Sequence, residues 1–494
     1  MNESTASIAR NARAMMLSQI VTWCASFAFM AFLPRYLGAT DFGRLYFAIT
    51  ASTIGFLLTD LGLTTLTVKE VARDRSKASN LFINAAVLRV AAWAVSLVVT
   101  VLFVRLSGYP SHTVQLVLVL CIANVFWGLY DLIHRVFIGF ERMEYRSITL
   151  IIEKVFLAAV GVTMLLLGYG SLTIAAVILT SMAVNFAFSF HFLRKTIALH
   201  PAIQPSTWMP LLRRGFPFMI SAMLGFIYYR INVMMLSSMT NEAVVGWYGA
   251  PFRLFDTLMF FPSILNTAVY PVLSRLFQSS KESMIQTSRK VFDITLLFAM
   301  PMAVGMASLA GPIISLLFGL REYSNSVVVL QILSASLVLV YVDFVLNTVL
   351  ISHDKERKTV VISIVATITN VTVGYFAIRY FQTALGNGAI GAVITTAVTE
   401  LCVMSMNIYL LPPGFFDKQS LLLAGKALAS GLVMLGVVML LRLESIHWII
   451  AGGVGCVVYV AMLFAFKAIS KREVRHLLGL LPFRKSNTAS VMSS

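Results

Sequence analysis

The sequence predicts an all-α protein that crosses a membrane about fourteen times, as two six-helix lobes followed by two further helices. Three observations predict it. The 494 residues are 59% hydrophobic and only 12% charged, and their mean hydropathy of +0.85 lies outside the range of soluble domains. Apolar runs of about 20 residues, enough for a helix to span about 30 Å of hydrocarbon, recur along the whole chain. Basic residues gather in alternate connecting segments. A barrel is excluded, because its strands would show short alternating segments instead.

Spans are expected at 15–33, 45–66, 81–104, 114–138, 148–167 and 172–193. A second set follows at 216–236, 246–272, 291–317, 327–351, 360–378 and 389–411, then two more at 421–441 and 448–466. The expected organisation is a lobe at 1–193, a linker at 194–214, a lobe at 215–411, two added helices at 412–466 and a basic tail at 467–494. Arg10 and Arg13 before an apolar run suggest a secretory leader. The run continues to Leu33 and ends at Pro34 and Arg35, so an uncleaved first span is expected. In the tail, Val474, Leu477 and Leu481 alternate with Lys471, Arg472 and Arg475 at helical spacing. That pattern suits a basic helix lying on the inner leaflet, or a solvated tail.

Of the 38 lysines and arginines, 26 fall in one set of alternate segments, 6 in the other and 6 within spans. The majority marks the cytoplasmic side, so both termini are expected there. The net charge of +17 then reflects membrane orientation, and no nucleic-acid partner is expected. Cys24, Cys121, Cys402 and Cys456 lie in apolar runs without CxxC spacing, which argues against a disulfide framework. The seven histidines form no metal-ligand spacing. No phosphate loop or nucleophile elbow occurs; Gly425 and Lys426 are followed by Ala427. No cofactor, metal or catalytic residue is expected, and the chain is read as not an enzyme.

Charge inside the spans is the informative set, because it is costly in lipid and must face protein or water. Arg230 lies seven residues before the turn at Ser237, and Arg253 seven residues after Gly246. At 1.5 Å per residue both sit about 10 Å below one membrane face. Asp256 is three residues from Arg253, so a private salt bridge is the alternative to a substrate role. Tyr228, Tyr229, Trp247 and Tyr248 flank these arginines, either against substrate or as an interfacial aromatic belt. Asp60, Arg89 and Asp131 are further charges in spans, Asp131 being near His134 and Arg135 as an interfacial pair. Asp343 and Glu400 are candidate proton or cation sites, or are hydrogen-bonded to neighbouring helices. Pro217, Pro251, Pro262, Pro271 and Pro301 are expected to bend the helices of the second set.

The first two spans echo the seventh and eighth. Gly43 and Gly246 differ by 203 positions, and Arg73 and Arg275 by 202. Parallel six-helix repeats of this kind relate two lobes by an axis along the membrane normal.

The chain resembles the oligosaccharide-unit flippases (Wzx-type), in the superfamily of multidrug, oligosaccharidyl-lipid and polysaccharide exporters. The residues that carry the resemblance begin at Arg10-Asn11-Ala12, Leu37 to Gly43, and Asp60-Leu61-Gly62-Leu63. Tyr229-Arg230-Ile231-Asn232, Val245-Gly246-Trp247-Tyr248, Arg253-Leu254 and Pro262 continue it. Gly311-Pro312-Ile313, Leu317-Phe318-Gly319, Asn370 and 388–396 complete it across the first twelve spans. The resemblance implies a central cavity lined by the first, second, seventh and eighth spans. It implies alternating access that moves a polyprenyl-diphosphate-linked oligosaccharide from the inner to the outer leaflet of the cytoplasmic membrane. The alternative is ion-coupled export of small amphipathic molecules on the same fold. The implied cavity set is Arg230, Arg253, Asp256, Tyr229, Asn232, Asp60 and Arg89, with Asp343, Glu400 and Asn370 for ion coupling. Relatives often have Asp where this chain has Asn232, and in some lipid II flippases an acid there helps bind sodium; Asn232 offers no charge. Implied partners are the lipid-linked substrate, membrane lipids, and a polysaccharide polymerase with its export machinery.

Topology yields the first prediction. Single cysteines at Ser171, Thr240 and Asn387 should react with an impermeant thiol reagent from outside sealed cells, whereas one at Ser279 should not. External labelling at Ser279 would overturn the assignment of sides.

Overall fold

A computed structural model describes residues 3–200, 202–353, 355–412 and 414–469, so the basic helix expected at 471–481 lies outside the described residues. The regular elements there are all helical. They are α1 (Glu3–Asp60), α2 (Leu63–Arg73), α3 (Ala78–Leu106), α4 (Ser111–Gly139), α5 (Met143–Leu166) and α6 (Ser171–Thr196). Then come α7 (Trp208–Met239), α8 (Glu242–Leu258), α9 (Phe260–Ser279), α10 (Lys281–Ser308), α11 (Ala310–Leu317) and α12 (Leu320–Tyr323). The last are α13 (Ser326–Ser352), α14 (Glu356–Leu385), α15 (Gly388–Leu410), α16 (Lys418–Leu443) and α17 (Trp448–Ala465). Eleven helical stretches among the described residues are long and apolar enough to cross a membrane. One of them, Ser18–Leu57, is 40 residues long and holds both the first and second expected spans. With α7 and the α8–α9 pair, which carry the charged seventh and eighth segments, these helices accommodate fourteen. The protein is an all-α polytopic membrane protein.

Several helix ends differ from expectation, and each has a local cause. The long α1 is broken at Gly38, where φ is +74° and ψ 168°. An L side chain rarely adopts that backbone, and the break separates the first span from the second. Hydropathy carries the second span to Leu66. Instead α1 stops at Asp60, and positive φ at Leu61 and Gly62 turns the chain into the amphipathic α2. The eighth span divides at Met259 and the ninth at Leu309. A proline ring clashes with the carbonyl four residues before it. Pro262 therefore terminates α8 at Leu258, and Pro312 terminates α10 at Ser308. Pro251 and Pro301 by contrast lie within α8 and α10.

The chain forms two compact units. The first takes 1–258, 313–333 and 356–403. Its apolar core beneath α2 includes Leu66, Val71, Phe82, Ile133, Val136 and Phe137. Glu153, 1% exposed, pairs with Lys154 at 2.7 Å and accepts from Asn185 at 2.5 Å, which joins α5 to α6. Within this unit α1 crosses α8 at two small residues. A Cβ on Gly43 would overlap the Glu242 carbonyl, and one on Gly246 would overlap the Ala39 carbonyl. The two glycines that mark the sequence echo thus lie at one backbone crossing.

Among the described residues the second unit takes 259–312, 334–355 and 404–469. Its core includes Leu273, Met284, Phe292, Leu346, Val349 and Phe415. Arg289 fastens the segment before α16, donating to the carbonyls of Phe415 at 2.6 Å and of Gly414, and to Asp417 Oδ2 at 2.6 Å. Asp417 caps α16 by accepting from Ser420 N–H at 2.8 Å. That backbone donor, helped by Arg289, holds the Asp417 carboxyl below its ordinary range.

The crossing can be tested by substitution. Gly246→Ala forces the α1 and α8 backbones apart and should cost about 1–3 kcal/mol, read as a lower melting midpoint of the detergent-solubilised protein. An unchanged midpoint would contradict the close approach.

Candidate anion site around Arg230 and Arg253

Three helices of the first unit build this site. On α1, Phe42 and Tyr46 are four residues apart and share a face, and their rings stack at 5.7 Å. The Gly43–Gly246 crossing brings that face against α8. On α7, Tyr229 and Arg230 reach the same place, and α8 contributes Phe252, Arg253 and Asp256.

The two arginines are treated differently. Arg230 donates to Tyr46 Oη and to Asp256 Oδ2, each at 2.8 Å. Asp256 uses its other oxygen to accept from the Tyr229 hydroxyl. The Arg230 guanidinium also lies over the rings of Tyr229 at 5.1 Å and Phe252 at 5.4 Å. Arg253 has no ion pair, and its guanidinium has no hydrogen bond among the described residues. It rests over Phe42 at 5.6 Å and Tyr46 at 5.8 Å. The private Arg253–Asp256 salt bridge is therefore not formed; Asp256 belongs to Arg230. Two guanidinium charges against one carboxylate leave one positive charge in excess. Ring faces hold the second guanidinium by cation–π attraction, and its planar fork of donors stays available.

The other expected residues lie elsewhere. Asn232 is 3% exposed and donates to Thr396 Oγ1 at 3.1 Å. Asp60 and Arg89 join Thr64, Asp131 and Arg135 in a separate network. There Arg89, 2% exposed, donates to Gly128 O at 2.6 Å, to Thr64 Oγ1 at 2.8 Å and to Asp60. Asp131 pairs with Arg135 at 2.9 Å, while His134 contacts Thr149 and Ser189. Glu400 accepts from Tyr228, and Asn370 is buried, both in the first unit. Asp343, in the second unit, accepts from Asn407 at 3.0 Å. Tyr248 is fully buried and stacks on Phe252, so it is not part of an aromatic belt. Among the described residues no cluster of three or more metal-ligating side chains occurs.

Tyr46 is the residue that sequence reasoning missed. It contacts both arginines, yet an isolated tyrosine in an apolar run carries no signal. The available sign was its spacing from Phe42 beside the repeated glycine.

The model of the polysaccharide biosynthesis protein family matches residues 8–277, more than half the chain. The chain belongs to that family. A second model, MatE, matches residues 217–376, and together they place this family member in the exporter superfamily of flippases and multidrug transporters. A probable lipid II flippase MurJ of Bdellovibrio bacteriovorus is 24% identical over 216 residues, 42% of this chain and 41% of that protein. The chain thus matches less than half the length of that relative. Among solved structures, a lipid II flippase MurJ in an inward closed conformation aligns with TM-score 0.75 and 13% identity, over 95% of this chain and 99% of that one. An inward-facing multidrug MATE transporter aligns with TM-score 0.61 and 16% identity, over 78% and 94%. At such identities the likeness shows the fold. The relatives named are flippases and transporters, not enzymes.

The two kinds of arginine should separate by stability. Arg89→Gln leaves Asp60 without its cation, while Asp131 keeps Arg135, and should cost toward the lower end of about 3–5 kcal/mol, because the Asp60 carboxylate is roughly a quarter exposed. Arg253→Gln should cost less, no more than about 2 kcal/mol for its half-buried cation–π contacts, because no carboxylate loses its partner. Melting curves of the two purified variants decide it, and equal losses would contradict the distinction.

Proposed function

We propose that this protein flips polyprenyl-diphosphate-linked oligosaccharide units from the inner to the outer leaflet of the cytoplasmic membrane, for surface polysaccharide synthesis. The observation that carries the reading is the unpaired Arg253 guanidinium beside the Arg230–Asp256 pair. A dianionic head group supplies the missing negative charge, and a guanidinium binds phosphoryl oxygens with two parallel hydrogen bonds. Tyr46 positions both arginines. Asp60 and Arg89 serve as an internal brace, and Asn232 joins α7 to α15. The reading takes the two six-helix lobes, cytoplasmic termini and alternating access from the sequence pattern and family. A polysaccharide polymerase and export machinery would receive the product.

The match to MatE favours a second reading, export of small amphipathic molecules. A cation exporter gains nothing from an excess positive charge in its site, so the charge balance supports the first. Coupling is assigned to Asp343 and Glu400, with Asn370 as a third candidate; Glu400→Gln should change the dependence of flipping on pH or sodium.

The test is surface delivery of the lipid-linked glycan in cells whose only flippase is the variant, normalised to protein level. Arg253→Gln should lose at least about tenfold, the effect of one charge-assisted hydrogen-bonded contact. Arg230→Gln should lose less, and Arg253→Lys should keep part of the activity because charge survives without the fork. Normal delivery by the Arg230→Gln, Arg253→Gln double variant would refute the role.

A further inference from the structure

We infer that Glu322 and Tyr323 form a latch that holds one end of the first unit closed over the Arg230–Arg253 site. The break at Gly38 begins a new helical segment at Ala39, whose N–H has no helical partner, while Pro34 lies in the last turn of the segment before it. Two adjacent residues of α12 take these groups. Glu322 Oε2 accepts from Ala39 N–H at 2.9 Å, and the Tyr323 hydroxyl donates to Pro34 O at 3.0 Å. A carboxylate at a helix N-terminus also complements the helix dipole.

The same short strap holds α8. Trp247 Nε1 donates to Glu322 O at 2.9 Å, and Ser326 Oγ donates to Trp247 O at 2.9 Å. Residues 322–326 thus tie the α1 break to the first turns of α8, beside the Gly43–Gly246 crossing. Tyr46 is seven residues along α1 from Ala39, and Arg253 is six along α8 from Trp247. Helical rise puts the strap about 10 Å from the site. Glu322 is exposed, so water competes for its bond and the tie opens at low cost. In the topology expected from the basic residues, this end faces outward. Release of the strap would then precede exit of the cargo.

The inference goes beyond the flippase reading, and its test needs no substrate, so its failure leaves that reading standing. The four native cysteines are replaced by serine, and Phe42→Cys, beneath Arg253, reports access to the site. Its labelling by an impermeant maleimide is followed in right-side-out membrane vesicles. Glu322→Ala should raise the labelling rate about fivefold, the factor set by losing one hydrogen bond. Glu322→Gln should stay near the parent rate, because its carbonyl still accepts from Ala39. Tyr323→Phe, which keeps the buried ring, should give a smaller rise and serves if Glu322→Ala folds poorly. Parent-rate labelling in both Glu322→Ala and Tyr323→Phe would overturn the latch.

Discussion

One guanidinium without a counter-charge is the constraint on which the rest of the first unit depends. An arginine at the centre of a membrane helix costs about 2.5–3.5 kcal/mol even on insertion scales. Arg89 meets that cost with carboxylates and a carbonyl, and Arg230 with Asp256, Tyr46 and Tyr229. Among the described residues Arg253 has aromatic faces alone. Rings lower the cost of the charge without consuming its donors, so the guanidinium is kept in place and left able to bind an anion.

The surrounding breaks serve that arrangement. Gly38 separates the first span from the second and lets the second segment of α1 approach α8 at glycine-to-glycine distance. Only that approach puts Phe42 and Tyr46 beneath Arg253. Pro262 stops α8 two residues after Asp256, so the charged face is confined to a short helix. Each device is a local backbone rule. The site arises from where the rules fall along the chain.

Much of this was legible in sequence. Hydropathy and length revealed the helical membrane fold, because span length follows directly from bilayer thickness. Arg230, Arg253 and Asp256 stood out because charge in an apolar run is expensive. Their partners did not. Spacing alone favoured Arg253–Asp256, whereas Arg230 comes from a different helix, and a contact across helices leaves no period in the chain. Tyr46 and Glu322 were invisible for the same reason. Tyr46 reads as one more apolar residue, and Glu322 reads as an ordinary loop acid until the orphaned Ala39 N–H is seen beside it. Asp60 and Arg89 looked equal in kind to Arg253. Only geometry separates charges with protein partners from one without.

Direct binding addresses the central claim most closely. A soluble short-chain polyprenyl diphosphate is titrated into purified wild-type and Arg253→Gln protein, with the corresponding uncharged polyprenol as control. The wild type should bind the diphosphate saturably, the substitution should weaken that binding about tenfold or more, and the alcohol should show no comparable binding. Equal affinity of both proteins for the diphosphate would contradict the claim.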